Sequence, residues 1–307
     1  MERILVTGGT GCLGSSLQLK SASYSSHQWY FPSRLECNLT DHMSVSDYFK
    51  KVQPTVVIHT AAYSGTAELN VKNPALILEY NLKMSLNILR ISAEVGVKKV
   101  LQIGSIAAYP FNPDNIPFQE SDLHTAPPDQ KDLYYASAKR LSHLLGKAHQ
   151  IENNVRVITL VVNGIIGPNM HINDGKEVML GGLINRFHNA NLDEKLVVFG
   201  NPKSKRQYTY SLDLAQIILM IIEDSPDVDL LNIGNTEQYS LMELAKMVCQ
   251  VLGRDPSRII FPNVNAVANF QNMDNSLFLR NYKYNFSKLE SAIKDTYRWF
   301  LENKINV

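Results

Sequence analysis

A short apolar strand that runs directly into a glycine-rich turn is the feature that most constrains the fold of this chain. Residues 4–6 are Ile-Leu-Val, and residues 7–14 follow at once as TGGTGCLG. A helix beginning near Cys12 would place free backbone amides and the positive end of its dipole against the glycines, where a diphosphate binds. The spacing of Gly8, Gly11 and Gly14 is a variant of the dinucleotide-binding fingerprint. The alternative is a turn that only joins strand to helix. The predicted cofactor contacts in this segment are Gly8, Thr10, Gly11, Cys12, Leu13 and Gly14.

Apolar strands alternate with helical patterns along the rest of the chain. The predicted strands are 27–32, 56–59, 99–105, 155–162 and 230–233, and the predicted helices are 12–20, 42–52, 73–95, 135–149, 180–190, 210–223 and 240–252. Such alternation predicts an α/β fold with a Rossmann-type, doubly wound parallel sheet covered by helices on both faces. We expect a dinucleotide-binding domain at 1–162, to which 206–233 return. Residues 163–205 and 234–307 would form a smaller, discontinuous α/β substrate-binding lobe.

Ligands of such sheets bind outside the carboxyl ends of the strands. Gly8, Arg34, Ala62 and Ser105 all fall at predicted strand ends. An arginine at the position of Arg34 can pair with a 2′-phosphate, whereas a carboxylate there would bind the ribose hydroxyl, so Arg34 favours NADPH. A solvent-facing loop arginine is the alternative. Further cofactor contacts are predicted beside the adenine and over the third strand end, namely Asn38, Leu39, Ala61, Ala62 and Tyr63.

Tyr135 and Lys139 form the main candidate for acid–base chemistry. Residues four apart on a helix share one face, so the lysine ammonium can lie close to the phenol. A nearby cation favours the phenolate, and such a tyrosine can exchange a proton at neutral pH. An ordinary helical pair is the alternative for these two residues, and a hydrogen bond to backbone is the alternative for Ser105.

Together these motifs resemble the extended short-chain dehydrogenase/reductase family. TGGTGCLG, HTAAY at 59–63, a strand ending in Ser105, and YASAK at 135–139 carry the resemblance. Within that family the chain more closely resembles the GDP-L-fucose synthases, over nearly its whole length and including KVQPTVVIH and SAEVGVKKV. The resemblance implies that Ser105 orients a keto oxygen and Tyr135 protonates it. Lys139 would lower the pKa of Tyr135 and bind the nicotinamide ribose.

The same resemblance implies further contacts to the cofactor and to a nucleotide-sugar substrate. Backbone groups of Val162, Gly164 and Ile165 would meet the nicotinamide amide. The implied substrate positions are Ser105, Ala107, Asn163, Val178, Arg186 and Arg206. Arg186 and Arg206 match family arginines near the diphosphate, and converging guanidinium groups give bidentate contacts that lysine reproduces poorly. Surface salt bridges are the alternative for both.

Two departures from the family bear on the reaction. The fucose synthases also epimerise C3 and C5, using a cysteine two positions after the serine and a histidine in the substrate loop. Those positions hold Ala107 and, counting without gaps, Val178, and neither side chain carries a transferable proton. We therefore predict NADPH-dependent reduction of the C4 keto group of a GDP-linked 4-keto-6-deoxy sugar, hexose or heptose, without epimerisation. A complete fucose synthase, with Lys176, Glu177 or His171 substituting, and a non-catalytic dinucleotide sensor remain alternatives.

Charge and cysteine usage limit the other partners. A formal net charge of +1 gives no electrostatic footprint for nucleic acid, and no basic run suggests a membrane surface. The three scattered cysteines lack disulfide or metal spacing, so we expect no metal site and a cytoplasmic location. Apolar stripes follow the helices at 73–95 and 135–149. The resemblance implies a homodimer through a four-helix bundle of these helices, with packing inside one subunit as the alternative.

Overall fold

The computed structural model describes residues 1–65, 67–111, 116–173, 175, 177–224, 226–262, 264 and 268–303, and no side chain of 67–69 is considered. The strands are β1 Arg3–Thr7, β2 Gln28–Tyr30, β3 Val56–His59, β4 Lys99–Ile103, β5 Arg156–Val162, β6 Gly164–Ile166, β7 Leu196–Val197, β8 Lys205–Arg206, β9 Tyr208–Tyr210, β10 Leu230–Ile233, β11 Tyr239–Ser240 and β12 Ile259–Ile260. The helices are α1 Cys12–Ser21, α2 His42–Val52, α3 Ala67–Lys72, α4 Pro74–Glu94, α5 Leu133–Asn153, α6 Met179–Asn189, α7 Ser211–Glu223, α8 Leu241–Leu252, α9 Ser276–Asn281 and α10 Leu289–Asn303.

Six parallel strands form the central sheet in the order β10-β5-β4-β3-β1-β2. The chain leaves β1 toward β2 and then crosses back to pair β3 with the other side of β1. That reversal opens a crevice outside the carboxyl ends of β1 and β3, where doubly wound sheets bind their ligands. The predicted Rossmann-type fold is therefore confirmed.

Local sequence signals account for several element ends. Asp41 caps α2 by accepting a hydrogen bond from the Met43 amide, and Ser240 with Glu243 forms a capping box at α8. The predicted strand at 27–32 is shorter, covering Gln28–Tyr30. The predicted helix at 135–149 extends at both ends to Leu133–Asn153, and Asn154 terminates it in the left-handed conformation.

Buried apolar side chains form clusters against the two faces of the sheet and a further cluster away from the sheet. The strands pack mainly against α1 and α7 on one face and against α2 and α4 on the other. A further cluster joins α6, α8 and α10, with Leu183, Val248 and Ile293 among its fully buried members. This cluster covers parts of the predicted substrate lobe, whose boundaries stay a prediction.

No helix within the described residues is both long enough and apolar enough to cross a membrane. In the same part of the chain, no group of three or more His, Cys, Asp or Glu side chains could hold a metal ion.

Candidate active site

The glycine-rich turn packs directly against the ends of β1 and β3. The Gly11 amide donates to the Gly8 carbonyl at 3.1 Å, and Gly8 has a φ of 77°. A Cβ at Gly8 would lie 2.7 Å from the Ala61 nitrogen, and a Cβ at Gly14 would lie 2.0 Å from the Gly8 oxygen. Gly11 occupies the N-cap of α1 without a side-chain hydrogen bond, so the helix N-terminus faces the crevice uncovered.

Arg34 lies in the loop that follows β2, and the Glu36 carboxylate in that loop is hydrogen-bonded to the backbone. The Ser33 amide donates to Glu36 Oε2 at 2.8 Å, and this backbone contact lowers the pKa of Glu36. The Arg34 side chain is exposed. The end of β2 therefore presents a guanidinium group at the position where the fold recognises the adenosine ribose.

Nearby loop residues are held by backbone and side-chain hydrogen bonds. The Asn38 side-chain oxygen accepts from the Thr40 hydroxyl at 2.9 Å, and Leu39 is buried. The Tyr63 amide donates to Asn81 Oδ1 at 3.0 Å, and the Asn81 amide returns a bond to the Tyr63 carbonyl. Ala61 and Ala62 present only methyl groups beside this fixed segment, which leaves room for a ligand over the end of β3.

Ser105 lies two residues beyond β4, at the carboxyl edge of the sheet. Its hydroxyl oxygen accepts from the Ala107 amide at 3.2 Å, which begins a short 3-10 helix at Ile106–Ala108. The Ser105 side chain lies close enough to the Tyr135 phenol to lower its pKa. The structure therefore brings together two hydroxyl groups that lie thirty residues apart in sequence, as the motif predicted.

Lys139 completes this group from the next turn of α5. Its ammonium lies 5.7 Å from the centroid of the Tyr135 ring and donates to the Ile103 carbonyl at 2.7 Å. Burial lowers the pKa of Lys139 to about 8. Desolvation disfavours the charged form, and the Ile103 carbonyl is the polar group that holds the ammonium in place.

The Tyr135 phenol is more strongly protonated than its spacing from Lys139 predicted. Burial raises the pKa of Tyr135 to about 12, while the Ser105 hydrogen bond lowers it and the negative charge of Asp132 raises it further. The predicted lowering of the Tyr135 pKa is therefore wrong for this structure, because burial disfavours the phenolate. A tyrosine that stays protonated at neutral pH is a proton donor rather than a base.

His59, which the sequence analysis did not single out, lies at the end of β3 behind this group. Its Nδ1 is 2.8 Å from the Thr7 hydroxyl, and burial, followed by the charge of Lys139, lowers its pKa to about 3. His59 is therefore neutral at physiological pH. A histidine closing an otherwise apolar buried strand was the available sequence signal.

The predicted nicotinamide segment follows β5 at the same edge. Val162 is buried, and Ile165 packs against the core beside the sheet. A Cβ at Gly164 would lie 2.6 Å from the Tyr208 ring, so glycine is required by the pairing of β6 with β9. Contacts from this segment to a nicotinamide would therefore come from the backbone.

Asn163 differs from the other substrate candidates because its side chain is fully engaged within the protein. Its Nδ2 donates to the Asn235 carbonyl at 2.9 Å, and its Oδ1 accepts from the Thr209 hydroxyl at 2.6 Å. The residue is buried. This arrangement fastens β5 to β9, and any substrate contact from Asn163 would have to come from its backbone.

Two positions depart from the family pattern, Ala107 and Val178, and they lie in different surroundings. Ala107 lines a cavity of about 140 Å³ together with Asp129, Asp132 and Phe270. Val178 occupies the N-cap of α6 and is exposed. Neither side chain carries a transferable proton.

Of the three proposed substitutes for the family histidine, two lie in the described part of the chain. Glu177 Oε1 accepts from the Asn185 side chain at 3.0 Å, which ties it to α6. His171 precedes the helix in the same loop and has interactions of its own. Lys176 lies outside the described residues.

Arg186 and Arg206 come from different elements. Arg186 Nε donates to the Val197 carbonyl at 3.2 Å, and its guanidinium lies 5.4 Å from the centroid of the exposed Phe199 ring. Arg206 Nη1 donates to the Asn269 carbonyl at 3.0 Å. Burial lowers the pKa of both groups. Their convergence on one ligand stays a prediction.

Asp132 is a second site residue that sequence reasoning missed. It lines the cavity shared with Ala107 and also a larger one of about 310 Å³ that Asn70 and Tyr135 line. In the sequence it stands before a helix and is typical of an N-cap. Only the fold shows that its carboxylate belongs to the neighbourhood of Tyr135.

A family model for the NAD dependent epimerase/dehydratase family matches residues 4–234, a span that includes the glycine turn, Ser105, Tyr135 and Lys139. The chain belongs to this family. The resemblance to extended short-chain dehydrogenases/reductases inferred from the motifs is thereby confirmed.

Individual members of the NAD dependent epimerase/dehydratase family match almost end to end. The GDP-L-fucose synthase of Dictyostelium discoideum is 28% identical over 98% of this chain and 95% of its own. The GDP-L-colitose synthase of Yersinia pseudotuberculosis is 24% identical over 99% of each chain. A crystal structure of a GDP-L-fucose synthetase from Naegleria fowleri bound to NADP has a TM-score of 0.89 at 27% identity, covering 100% of this chain and 96% of that one.

Proposed function

We propose that this chain catalyses NADPH-dependent reduction of the C4 keto group of a GDP-linked 4-keto-6-deoxy sugar, without epimerisation at C3 or C5. The observation that carries the proposal is the grouping of Ser105, Tyr135 and Lys139 at the carboxyl edge of the sheet. A protein that only senses a dinucleotide has no need for a protonated phenol beside a serine hydroxyl.

The residues around the glycine turn fit a dinucleotide. Any Cβ at Gly14 would collide with the Gly8 carbonyl, and the uncapped N-terminus of α1 faces the same space. These features suit a diphosphate. The exposed Arg34 guanidinium suits a 2′-phosphate, and the NADP named for the Naegleria fowleri structure supports this choice.

NADPH, when bound, supplies the hydride for the keto carbon. Ser105 and Tyr135 present two hydroxyl groups to the keto oxygen, and each can donate a hydrogen bond to the alkoxide that develops there. Tyr135 then gives its proton to that oxygen, which its pKa of about 12 permits across the neutral range. The Lys139 ammonium stabilises the phenolate that remains.

Support for a GDP-linked substrate comes from the relatives and from the second lobe. Both curated relatives carry GDP in their names. Arg186 and Arg206 offer guanidinium groups for a diphosphate, and the exposed Phe199 ring beside Arg186 offers a face on which a base can stack.

The absence of epimerisation rests on Ala107 and Val178. The relatives' names favour the second candidate, a complete fucose synthase. The two differ in a measurable way, because epimerisation exchanges the C3 and C5 hydrogens with solvent whereas reduction alone does not. Reaction in D₂O with GDP-4-keto-6-deoxymannose should give product without deuterium at C3 or C5, and deuterium at either carbon would establish the complete synthase.

The reduction itself is tested by NADPH oxidation at 340 nm. We expect turnover with GDP-4-keto-6-deoxymannose and weaker turnover with its UDP-, CDP- and dTDP-linked counterparts. Binding of NADPH without turnover of any 4-keto sugar would favour the dinucleotide sensor. Preference for a pyrimidine nucleotide would contradict the GDP assignment.

We also propose a homodimer through α4 and α5, which pack side by side. Leu86 on α4 and Leu141 and Leu144 on α5 are 46% to 48% exposed. Three large apolar side chains on one helix pair suit burial against a second copy of the same pair, giving a four-helix bundle.

A further inference from the structure

Asp132 occupies a helix N-cap without capping the helix. It directly precedes α5, where an aspartate side chain ordinarily accepts a hydrogen bond from the second or third amide of the helix, which stabilises a protein by about 1 kcal/mol. No such bond is made here. Asp41 shows the usual arrangement at α2, where its carboxylate accepts from the Met43 amide at 3.2 Å.

The carboxylate instead bonds to Asn70 and lines cavities next to Tyr135 and Ala107. Asp132 Oδ1 accepts from the Asn70 side-chain nitrogen at 3.1 Å, which fixes its orientation. Asp132 is the residue common to the 310 Å³ cavity that Tyr135 lines and the 140 Å³ cavity that Ala107 lines. Its charge is close enough to raise the pKa of Tyr135.

Asp132 and Asn70 together hold more hydrogen-bond acceptors than donors. The Asn70 side-chain oxygen is buried and has no hydrogen-bond partner among the described residues. Within the same residues, Asn70 is the one side chain that donates to the Asp132 carboxylate. A buried acceptor without a partner costs about 1 to 3 kcal/mol, so a ligand that binds here is expected to bring a donor.

Burial and the neighbouring Asp129 raise the pKa of Asp132, whereas Asn70, Arg206 and Lys131 act in the opposite direction. A carboxylate so desolvated gains from a neutral donor such as a hydroxyl group. An anionic phosphate would add repulsion to the two aspartates, so we assign this part of the site to the sugar.

We propose that Asp132, oriented by Asn70, accepts a hydrogen bond from the C3 hydroxyl of the sugar and so selects 3-hydroxylated over 3-deoxy 4-keto substrates. This inference rests on the proposed C4 reduction. In a 4-keto-6-deoxy sugar, C3 is the one carbon bonded to the keto carbon that carries a hydroxyl. That hydroxyl therefore lies beside the oxygen that Tyr135 protonates, and Asp132 lines the same cavity as Tyr135.

The test compares GDP-4-keto-6-deoxymannose with its 3-deoxy analogue at a fixed, saturating NADPH concentration. A site with an acceptor placed for a substrate hydroxyl rejects the analogue that lacks it. We expect the wild-type protein to prefer the hydroxylated sugar by at least about 100-fold in kcat/KM. Asp132→Ala should bring the two values within about 10-fold, mainly by raising KM for the hydroxylated sugar. Asp132→Asn keeps an acceptor oxygen and should retain part of the preference.

Asp41→Ala is the matched control, because it removes an aspartate N-cap that does cap its helix. It should lower the free energy of unfolding by about 1 kcal/mol and leave the preference for the hydroxylated sugar unchanged. Asp132→Ala should leave the free energy of unfolding unchanged and reduce the preference for the hydroxylated sugar. Both variants should retain their affinity for NADPH.

The possible results distinguish the role proposed for Asp132 from the proposed reductase activity. Turnover of both sugars by the wild-type protein with equal kcat/KM would overturn the role of Asp132 and leave the reductase proposal standing. An equal loss for both sugars in Asp132→Ala and Asp132→Asn would also overturn it, because the effect would then not depend on the C3 hydroxyl. Failure of the wild-type protein to bind or reduce any nucleotide-linked 4-keto sugar would overturn both proposals.

Discussion

The Lys139 ammonium donates a 2.7 Å hydrogen bond to the carbonyl oxygen of Ile103. This contact joins α5 to the last residue of β4, two residues before Ser105. The bond therefore sets the helix that carries Tyr135 against the strand that leads into Ser105. It also keeps a charged group in a buried position where its pKa falls to about 8.

Replacing Lys139 should make the protein more stable and its reduction reaction slower. Lys139→Met removes a buried ammonium group whose pKa burial lowers from 10.5 to about 8, which corresponds to about 3 kcal/mol of destabilisation. It also removes the hydrogen bond to Ile103, which contributes about 1 kcal/mol. We expect urea unfolding at pH 7 to show a gain of about 2 kcal/mol, with reduction slowed at least about 100-fold. Lys147→Met, on the exposed side of the same helix, should change neither quantity appreciably.

The stability gain should depend on pH in a defined direction. The unfolded chain binds a proton at Lys139 up to about pH 10.5, whereas the folded chain releases it near 8, so wild-type stability gains from this group as pH rises between those values. The difference between Lys139→Met and wild type should accordingly shrink from pH 7 to pH 10.5. A difference that grows over this range would contradict the assignment of the low pKa to Lys139.

Tyr135→Phe should remove the proton donor without disturbing cofactor binding. Phenylalanine keeps the ring over Lys139 but has no hydroxyl for the keto oxygen or for Ser105. We expect kcat to fall by about 100- to 10,000-fold, the usual contribution of a positioned acid. NADPH affinity, measured by fluorescence titration, should stay within a few-fold. A variant that reduces as fast as the parent would rule out Tyr135 as the acid.

The rate of reduction should fall above about pH 8 in the wild-type protein. Tyr135, with a pKa of about 12, stays protonated through this range, so Lys139 is the group of the pair that titrates. Loss of its charge removes the cation that stabilises the phenolate. The measurement is kcat against pH from 6 to 10 at saturating substrates, and a rate that rises steadily through pH 9 would argue against a role for the Lys139 charge.

Gly8→Ala and Gly96→Ala form a matched pair for the glycine turn. Their φ angles are 77° and 76°, so an alanine is similarly strained at both. A Cβ at Gly8 would lie 2.7 Å from the Ala61 nitrogen, whereas one at Gly96 meets nothing within 4 Å. Gly96→Ala should cost about 1 kcal/mol of stability with NADPH affinity unchanged. Gly8→Ala should cost more and weaken NADPH binding at least about 10-fold by displacing the turn. Equal effects would indicate that close packing of the turn does not matter.

The proposed dimer can be tested on α5. Leu141→Arg combined with Leu144→Arg places two charges on the exposed apolar face and should give a monomer by light scattering after gel filtration. Leu19→Arg changes an equally apolar, exposed position on α1 and should leave the dimer intact. A wild-type protein that is monomeric at micromolar concentration would contradict the proposal.

Residues governed by local pattern could be predicted from the sequence. The strand at 56–59 was predicted with its final bounds, because a short apolar run between polar residues leaves little choice. Gly8 and Gly14 were identified from the spacing of the dinucleotide-binding fingerprint, and in the structure a Cβ at either position would collide with backbone atoms. Asn163 was named as a substrate residue, yet its side chain is used between β5 and β9, a contact between segments that no local pattern encodes. The pKa of Tyr135 was predicted in the wrong direction because desolvation depends on the whole fold.

The turn after β4 carries Ser105, and α5 carries Tyr135 and Lys139. Arg186 and Arg206 lie later in the chain, on α6 and β8. The residues of the proposed proton transfer and the arginines proposed for the diphosphate thus lie in separate stretches of the chain. A recombination event that exchanged residues 178–206 would bring in new binding groups while leaving the proton donor and its lysine untouched. Such modularity offers a route by which one scaffold acquires different substrate-binding groups, and a practical way to redirect the activity proposed for this chain.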